Sequence, residues 1–372
     1  MINTNKLTVM QVLPALEFGG VERGTLEIAS ALVKRGHRSI VVSAGGRMVP
    51  RLQDEGSEHL SLPVGQKSPF SLRFIPALKT SFSSSNVDII HVRSRFPAWL
   101  CYLALRGWKS TPRPRFITTV HGVYSVSRYS SIMVKGEKVI AISNFVRNYI
   151  LDNYPETPVE NIHVIPRGVD PEFYDHNFKA DSDWLKSWFK QYPETRHKKL
   201  IALPGRITQR KGLEDFIEIF KLLKDNHELH GVIIGGSATG KQTYTSRLKS
   251  MIEDSGLIDR ITMTGHRDDV RELYCLCDVV LSLAKEPEAF GRTSLEALSL
   301  GVPVIAYNHG GAGEVLRNIF PGGLVPVGNH KQTADLILEF VSRPPLVPPQ
   351  QKYILQKMQD ETLDLYESLA CD

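Results

Sequence analysis

Three short stretches of this 372-residue chain combine glycine with charge in a way that suits phosphate chemistry. In the first, Glu288, Ala289, Phe290, Gly291, Arg292 and Thr293 lead to Glu296. A helix predicted to begin near Gly291 offers unbonded backbone N–H groups at its start, and such groups hold phosphate oxygens. Carboxylates accept strongly from hydroxyls, so Glu288 and Glu296 suit the hydroxyls of a sugar and of a ribose. In the second stretch, 205–212, a turn after a strand carries Arg206 and Lys211, a pair able to neutralise a diphosphate as it leaves. The third is Gly19-Gly20, between a strand and a helix, where the backbone can approach a ligand closely. It is not G-x-G-x-x-G, so a dinucleotide site is not indicated. Each stretch taken alone also has a plainer reading: acids placed for the helix dipole, a solvated charged turn, an ordinary strand–helix turn.

The elements that must position these residues alternate along the chain. Short apolar runs read as strands in LTVMQVLPAL, SIVVSAGG, VDIIHVRS, RFITTVHG and KVIAISN. Near-continuous apolar strands are what a parallel sheet covered on both faces requires. VERGTLEIASALVKRG is a helix, with Leu26, Ala29, Leu32 and Val33 at helical spacing and Gly36 at its end. The polar region 166–199 breaks the rhythm and is read as the domain boundary. Alternation restarts with KLIALPGR and continues to PVIAYN, followed by a proline-rich break at 344–349 and a final helix, LDLYESLA. The expected organisation is an N-terminal Rossmann-like domain over 1–175, a C-terminal one over 176–345, and a helix in 346–372 packing back towards the N-terminal domain. Two doubly wound α/β domains of this kind face each other across a cleft, a natural place for a phosphate-bearing ligand.

Composition narrows the function. Hydrophobic residues make up 42% and charged residues 23%, so a packed globular chain is expected. The four cysteines are scattered, and Cys275-x-Cys277 has the wrong spacing for a zinc knuckle or a redox pair, so reduced thiols in a cytosolic setting are expected. The start lacks a small-residue cleavage site and reads as leading into a buried strand. No stretch approaches the ~20 apolar residues of a spanning helix. Residues 1–175 hold 21 Lys+Arg against 14 Asp+Glu, while the remainder holds 24 against 26. A basic first half attracts an acidic surface such as anionic lipid, or is simply a solvated basic face. The aromatic and basic residues of FPAWLCYLALRGWKSTPRPR (Trp99, Tyr102, Trp108, Arg106, Lys109, Arg113, Arg115) read either as an interfacial helix with a basic rim or as an ordinary core helix. Dispersed basic residues without a recognisable module argue against nucleic acid.

The segment PEAFGRTSLEALSLGVPVIAYNHGGAGEVL resembles the signature of glycosyltransferase family 4, whose two glutamates have seven residues between them, as Glu288 and Glu296 do. GGVERGTLEIASALVKRGH, VHG at 120–122, ISNFVRNYI at 142–150, VIPRGVD at 164–170 and PGRITQRKG at 204–212 are similar to further family segments in the same order. The resemblance covers about residues 9–340 and implies a GT-B fold and transfer of a sugar, with retained configuration, from a nucleotide diphosphate sugar to a glycan or glycolipid such as lipopolysaccharide. It implies that Glu296 binds the donor ribose, that Glu288 binds sugar hydroxyls, and that amides near 290–293 hold the diphosphate. Arg206 and Lys211 then stabilise the leaving group, Gly19 and Gly20 lie beside donor phosphates and acceptor, and His121 lies near the sugar's reacting face. No metal or other cofactor is implied. The implied location is cytoplasmic, with peripheral attachment at the inner face of the cell membrane. Arg167 departs from the family's usual asparagine, and Arg292 and Thr293 replace residues that are apolar in many members. A catalytically silent sugar-nucleotide-binding protein on the same fold, and a sugar-nucleotide epimerase, are the alternatives.

Overall fold

A computed structural model describes residues 6–236 and 242–371. The five residues that open the chain, part of the start read as leading into a strand, lie outside the described residues. The chain divides into two compact units, Met1–Gly168 together with Leu355–Asp372, and Val169–Ile354.

In the first unit the strands are β1 (Thr8–Val12), β2 (Arg38–Ser43), β3 (Glu58–Ser61), β4 (Ile89–Val92), β5 (Arg115–Val120), β6 (Lys138–Ala141) and β7 (Ile162–Val164). They form one parallel sheet in the order β3-β2-β1-β4-β5-β6-β7. Met10 stands opposite Ile40 on one side and Ile90 on the other. The helices α1 (Gly20–Lys34), α2 (Val49–Asp54), α3 (Phe74–Ser84), α4 (Arg95–Arg106) and α5 (Asn144–Asn153) connect them. The central strands are apolar because helices cover both faces. Val9, Met10, Val12, Ile89, Ile90 and Val92 are fully buried, each contributing about 1.5–3 kcal/mol of apolar burial.

The second unit repeats the plan. It opens with α6 (Ser182–Gln191), and β8 (Lys199–Pro204), α7 (Leu213–Leu222), β9 (Leu229–Ile234), α8 (Gln242–Asp254), β10 (Ile261–Gly265), α9 (Val270–Leu276) and β11 (Val279–Ser282) follow in alternation. The unit continues through α10 (Arg292–Ser299), β12 (Val304–Tyr307), α11 (Gly310–Ile319), β13 (Leu324–Val325) and α12 (His330–Ser342). Its sheet is again parallel, in the order β10-β9-β8-β11-β12-β13.

The division falls at 168/169 and 354/355, where the sequence suggested 175 and 345. Val169 and Ile354 form a parallel bridge, and the Val169 N–H donates to the Tyr353 carbonyl at 3.0 Å. This pairing keeps 169–175 and 346–354 within the second unit. The stretch read as a break contains α6. Asp181 caps it by accepting from Asp183 N and Trp184 N, and Trp184, Trp188 and Tyr192 lie four residues apart on one face with their rings in contact.

The last helix, α13 (Leu355–Cys371), starts earlier than its apolar signal suggested and belongs to the first unit. Met358, Leu363, Leu365, Tyr366 and Leu369 share a core with Leu7, Val9, Ile28, Leu32 and Ile89. Arg35 pairs with Asp360 and, at 2.7 Å, with Asp364, and His37 meets Glu367 at 3.0 Å. In α4 and just past its end the aromatic residues pack inwards: Trp99 donates to the Tyr129 carbonyl and meets Tyr102 edge-on, Tyr102 meets Phe116, and Trp108, beyond the helix, meets Phe82. The core-helix reading of this segment is the one its contacts follow. Among the described residues no helix is long and apolar enough to cross a membrane, and the cysteines are free thiols.

Tyr366 OH lies 2.6 Å from buried His91 Nδ1. Tyr366→Phe leaves that nitrogen without its partner, and the first unit is expected to lose about 1–3 kcal/mol, read as a lower urea midpoint. Burial holds His91 well below its ordinary value and pushes His230 down to about 4. The unfolded chain takes up protons near pH 6.5 where the native histidines do not. Stability from these groups is therefore complete above that pH and falls as pH drops from 6.5 towards 4. Urea melts at pH 7 and pH 5 should show this loss, and His230→Gln should lose part of the slope.

Candidate active site

In an open parallel sheet, ligands sit at the carboxyl ends of the strands where the order reverses. In the second unit that point lies between β8 and β11. The turn 205–212 follows β8 and the loop 283–291 follows β11, so parallel pairing brings residues about eighty positions apart to one place. The two loops are stitched together. The Lys285 N–H donates to the Arg210 carbonyl at 2.9 Å, Arg210 pairs with Glu286 at 2.6 Å, and the Lys211 ammonium pairs with the Glu288 carboxylate. Gly212 has φ +71°, and a Cβ there would lie 1.9 Å from the Leu283 carbonyl oxygen, so no other residue fits this approach. Below the loops, buried Asp215 accepts from Tyr307 OH at 2.7 Å and pairs with Lys285 at 2.9 Å. The Asp215 hydrogen bond outweighs partial burial and holds the Lys285 ammonium above its ordinary pKa.

Glu288 to Gly291 is held from the other side by the start of α11, whose Gly311 N–H donates to the Glu288 carbonyl at 2.6 Å. Gly291 adopts φ +88°, with the space for a Cβ filled by Ala312 at 2.6 Å. The buried Phe290 ring anchors the loop edge-on to Tyr353. Gly291 is the N-cap of α10, and no side chain caps that helix, so its first-turn amides are not taken up by a capping residue. Thr293 lies in that first turn, half-buried, and Ala289 is half-buried in the loop before it. Arg292 Nε and Glu296 Oε1 pair at 3.2 Å one helical turn apart, both side chains largely buried. Arg206 is exposed and makes no ion pair among the described residues.

The remaining expected residues lie in the first unit. Gly19 and Gly20 are exposed at the start of α1, where the Gly19 carbonyl accepts from Arg23 N. His121 follows β5. Its backbone N–H donates to Tyr124 OH at 3.3 Å, and Arg167 Nη2 lies 2.7 Å from its Nδ1. Burial first, then the positive charges of Arg167 and Arg93, hold the His121 imidazole well below its ordinary pKa, in the neutral form. Arg93, just past β4, is fully buried. Its Nε and Nη2 donate to Gln11 Oε1 at 2.9 and 2.6 Å, and Gln11 donates on to the Thr25 carbonyl at 3.1 Å.

The structure thus groups Arg206, Lys211, Glu288, Ala289, Phe290, Gly291, Arg292, Thr293 and Glu296 in one unit, and Gly19, Gly20 and His121 in the other. Sequence reasoning passed over Asp215, Lys285, Arg93 and Tyr366. The only signal for Arg93 was a cation and a histidine, His91, ending an otherwise apolar strand. Among the described residues no group of three or more His, Cys, Asp or Glu is arranged to hold a metal ion.

Comparison with known proteins bears on the fold and the family. The family model for "Glycosyltransferase Family 4" matches residues 18–173, and that for "Glycosyl transferases group 1" matches residues 186–357. A solved glycosyltransferase from Rickettsia africae ESF-5 is 33% identical, with a TM-score of 0.86 over 98% of this chain and 99% of that one. Anabaena HepE, solved in complex with UDP and glucose, is 18% identical with a TM-score of 0.83 over 97% of this chain and all of that one. WaaG, a glycosyltransferase involved in lipopolysaccharide biosynthesis, is 17% identical with a TM-score of 0.67 over 97% of this chain and 98% of that one. With both units matched in order and a full-length relative at one-third identity, the chain belongs to the family 4 glycosyltransferases of the GT-B fold.

Proposed function

We propose that this chain transfers a sugar, with retention of anomeric configuration, from a nucleoside diphosphate sugar to a hydroxyl of a glycan or glycolipid acceptor. The observation that carries the reading is the Lys211–Glu288 pair at the strand-order reversal of the second unit. An ammonium and a carboxylate held together there match the two ends of a sugar diphosphate, one anionic and one rich in hydroxyl donors. HepE, which shares the fold, binds UDP and glucose. WaaG, which also shares it, works in lipopolysaccharide synthesis and supports a cell-envelope acceptor.

In this reading Lys211, Arg206 and the first-turn amides of α10 take up the negative charge that grows on the diphosphate. Glu288 accepts from sugar hydroxyls and Glu296 from the ribose. Ala289 and Phe290 carry the backbone that leads into the phosphate site, and Arg292 braces Glu296. In the first unit, Gly19 and Gly20 are assigned to the donor phosphates and the acceptor, and His121 to the sugar. The bond from the anomeric carbon to the phosphate oxygen breaks and the bond to the acceptor oxygen forms on the same face. The acceptor proton passes to the leaving phosphate, so the nucleoside diphosphate departs protonated and no enzyme carboxylate is consumed. Charge neutralisation is assigned to side chains and amides rather than to a bound cation. The basic first half of the chain suits peripheral attachment to an anionic cytoplasmic membrane face.

A thermal-shift panel of UDP, GDP and ADP sugars tests the donor, since a ligand that binds only the folded state raises the melting temperature. At least one should do so, and a panel without any shift overturns the reading. With the donor found, Lys211→Met is expected to lower kcat about 100-fold or more, because one preorganised charge facing the leaving group is removed. Glu288→Gln and Glu296→Gln should weaken donor binding, read as a higher KM and a smaller thermal shift. Treatment with EDTA should leave turnover unchanged. Proton NMR of the product should show the donor's anomeric configuration, and an inverted product would sink the retaining assignment.

A further inference from the structure

His121 Nδ1 lies 2.7 Å from Arg167 Nη2. A guanidinium has five N–H donors and no acceptor, so this contact exists only if Nδ1 carries no proton. The imidazole then carries its proton on Nε2. That atom is buried and has no hydrogen-bond partner among the described residues. We infer that Arg167 is a positioning residue that locks His121 in the Nε2–H form, so that the histidine offers a hydrogen-bond donor, and not a base, to an oxygen of the bound substrate.

The surroundings fix Arg167 in place. Its other terminal nitrogen, Nη1, lies 3.7 Å from the Met358 sulfur of α13. Its guanidinium lies over Gly24 of α1, where an added Cβ would come within 3.3 Å of Cζ. The backbone N–H of His121 is held by Tyr124 OH, and Tyr149 OH donates to the Tyr124 carbonyl at 2.6 Å. Ring orientation and tautomer are therefore both set by the protein, while the remaining ring N–H is left for a ligand. An unsatisfied buried donor is costly unless something completes it, and a ligand oxygen is the group that would. An asparagine at 167 would present a shorter amide that can either donate or accept, and so would not impose one tautomer.

The test has two arms, and only the second rests on the proposed transfer activity. In the full chain labelled with 15N-histidine, the His121 signals are assigned by their loss in His121→Asn. Nδ1 should be pyridine-like and Nε2 pyrrole-like. Arg167→Met should move both towards the averaged position of an imidazole exchanging between tautomers, and Arg167→Lys, which keeps a donor-only cation, should return them part of the way. A protonated Nδ1 in the wild type, or ring signals unmoved in Arg167→Met, overturns the inference. If Arg167→Met does not fold, the wild-type and Arg167→Lys spectra decide. In turnover, His121→Gln places an amide N–H near the Nε2 position and should stay within about 10-fold of wild type, while His121→Asn should lose about 100-fold. The reverse order overturns the donor role. Spectra as expected without turnover of any nucleotide sugar would instead count against the transferase reading alone.

Discussion

The second unit depends on two opposite charges being brought together by a parallel sheet. Lys211 and Glu288 are 77 residues apart, and each leaves its strand at the carboxyl end of neighbours β8 and β11. Their side chains are 28% and 18% exposed, so water screens the pair in part and its net worth is on the order of 1 kcal/mol. A pair that weak organises a site without sealing it. In the proposed transfer a diphosphate, which carries more negative charge than one carboxylate, takes over the lysine and releases Glu288 to sugar hydroxyls.

The exchange works only if the loops beneath stay still. Asp215 serves that end by holding Lys285 and Tyr307 while α7 and β12 fix it in turn. Gly212 and Gly291 allow the backbones to approach more closely than a side chain would permit, and the α11 N-terminus holds the Glu288 carbonyl. Lys211 and Glu288 are thus carried by backbone that packing and hydrogen bonds over-determine, which is the usual requirement of an electrostatic site.

How far the sequence foretold this varies with the range of the interaction. Buried strands such as VVLS and TVMQV were legible because helices on both faces make them continuous apolar runs. Short edge strands were not: β3 is EHLS, with its two outer residues exposed, and carries little apolar signal. α6 was passed over because its composition is polar, although Trp184, Trp188 and Tyr192 keep a helical spacing. The glutamates and the basic turn could be found from residue type and resemblance. Their pairing could not, since a crossover of many residues separates them and only strand order makes them neighbours. The contact between His121 and Arg167, across 46 residues, was hidden for the same reason.

The two units handle buried polarity in opposite ways, and the difference follows from what each must do. In the second unit the ion pairs of the loops 205–212 and 283–291 are partly solvated and exchangeable. In the first unit Gln11, His91, Arg93 and Thr119, at or just past the ends of β1, β4 and β5, are sealed. Arg93 is tied to Gln11, and His91 is tied to Tyr366 and Thr119. A sealed network is stable only when nearly every member is satisfied, so it tolerates one arrangement where an exposed set tolerates several. One essential member, Tyr366, comes from α13, the last helix of the chain. The first unit therefore cannot complete its polar core until the chain has passed through the whole second unit and returned. The crossing of the chain between units is thus a condition for the interior of the first, and for holding Met358 beside the arginine that orients His121.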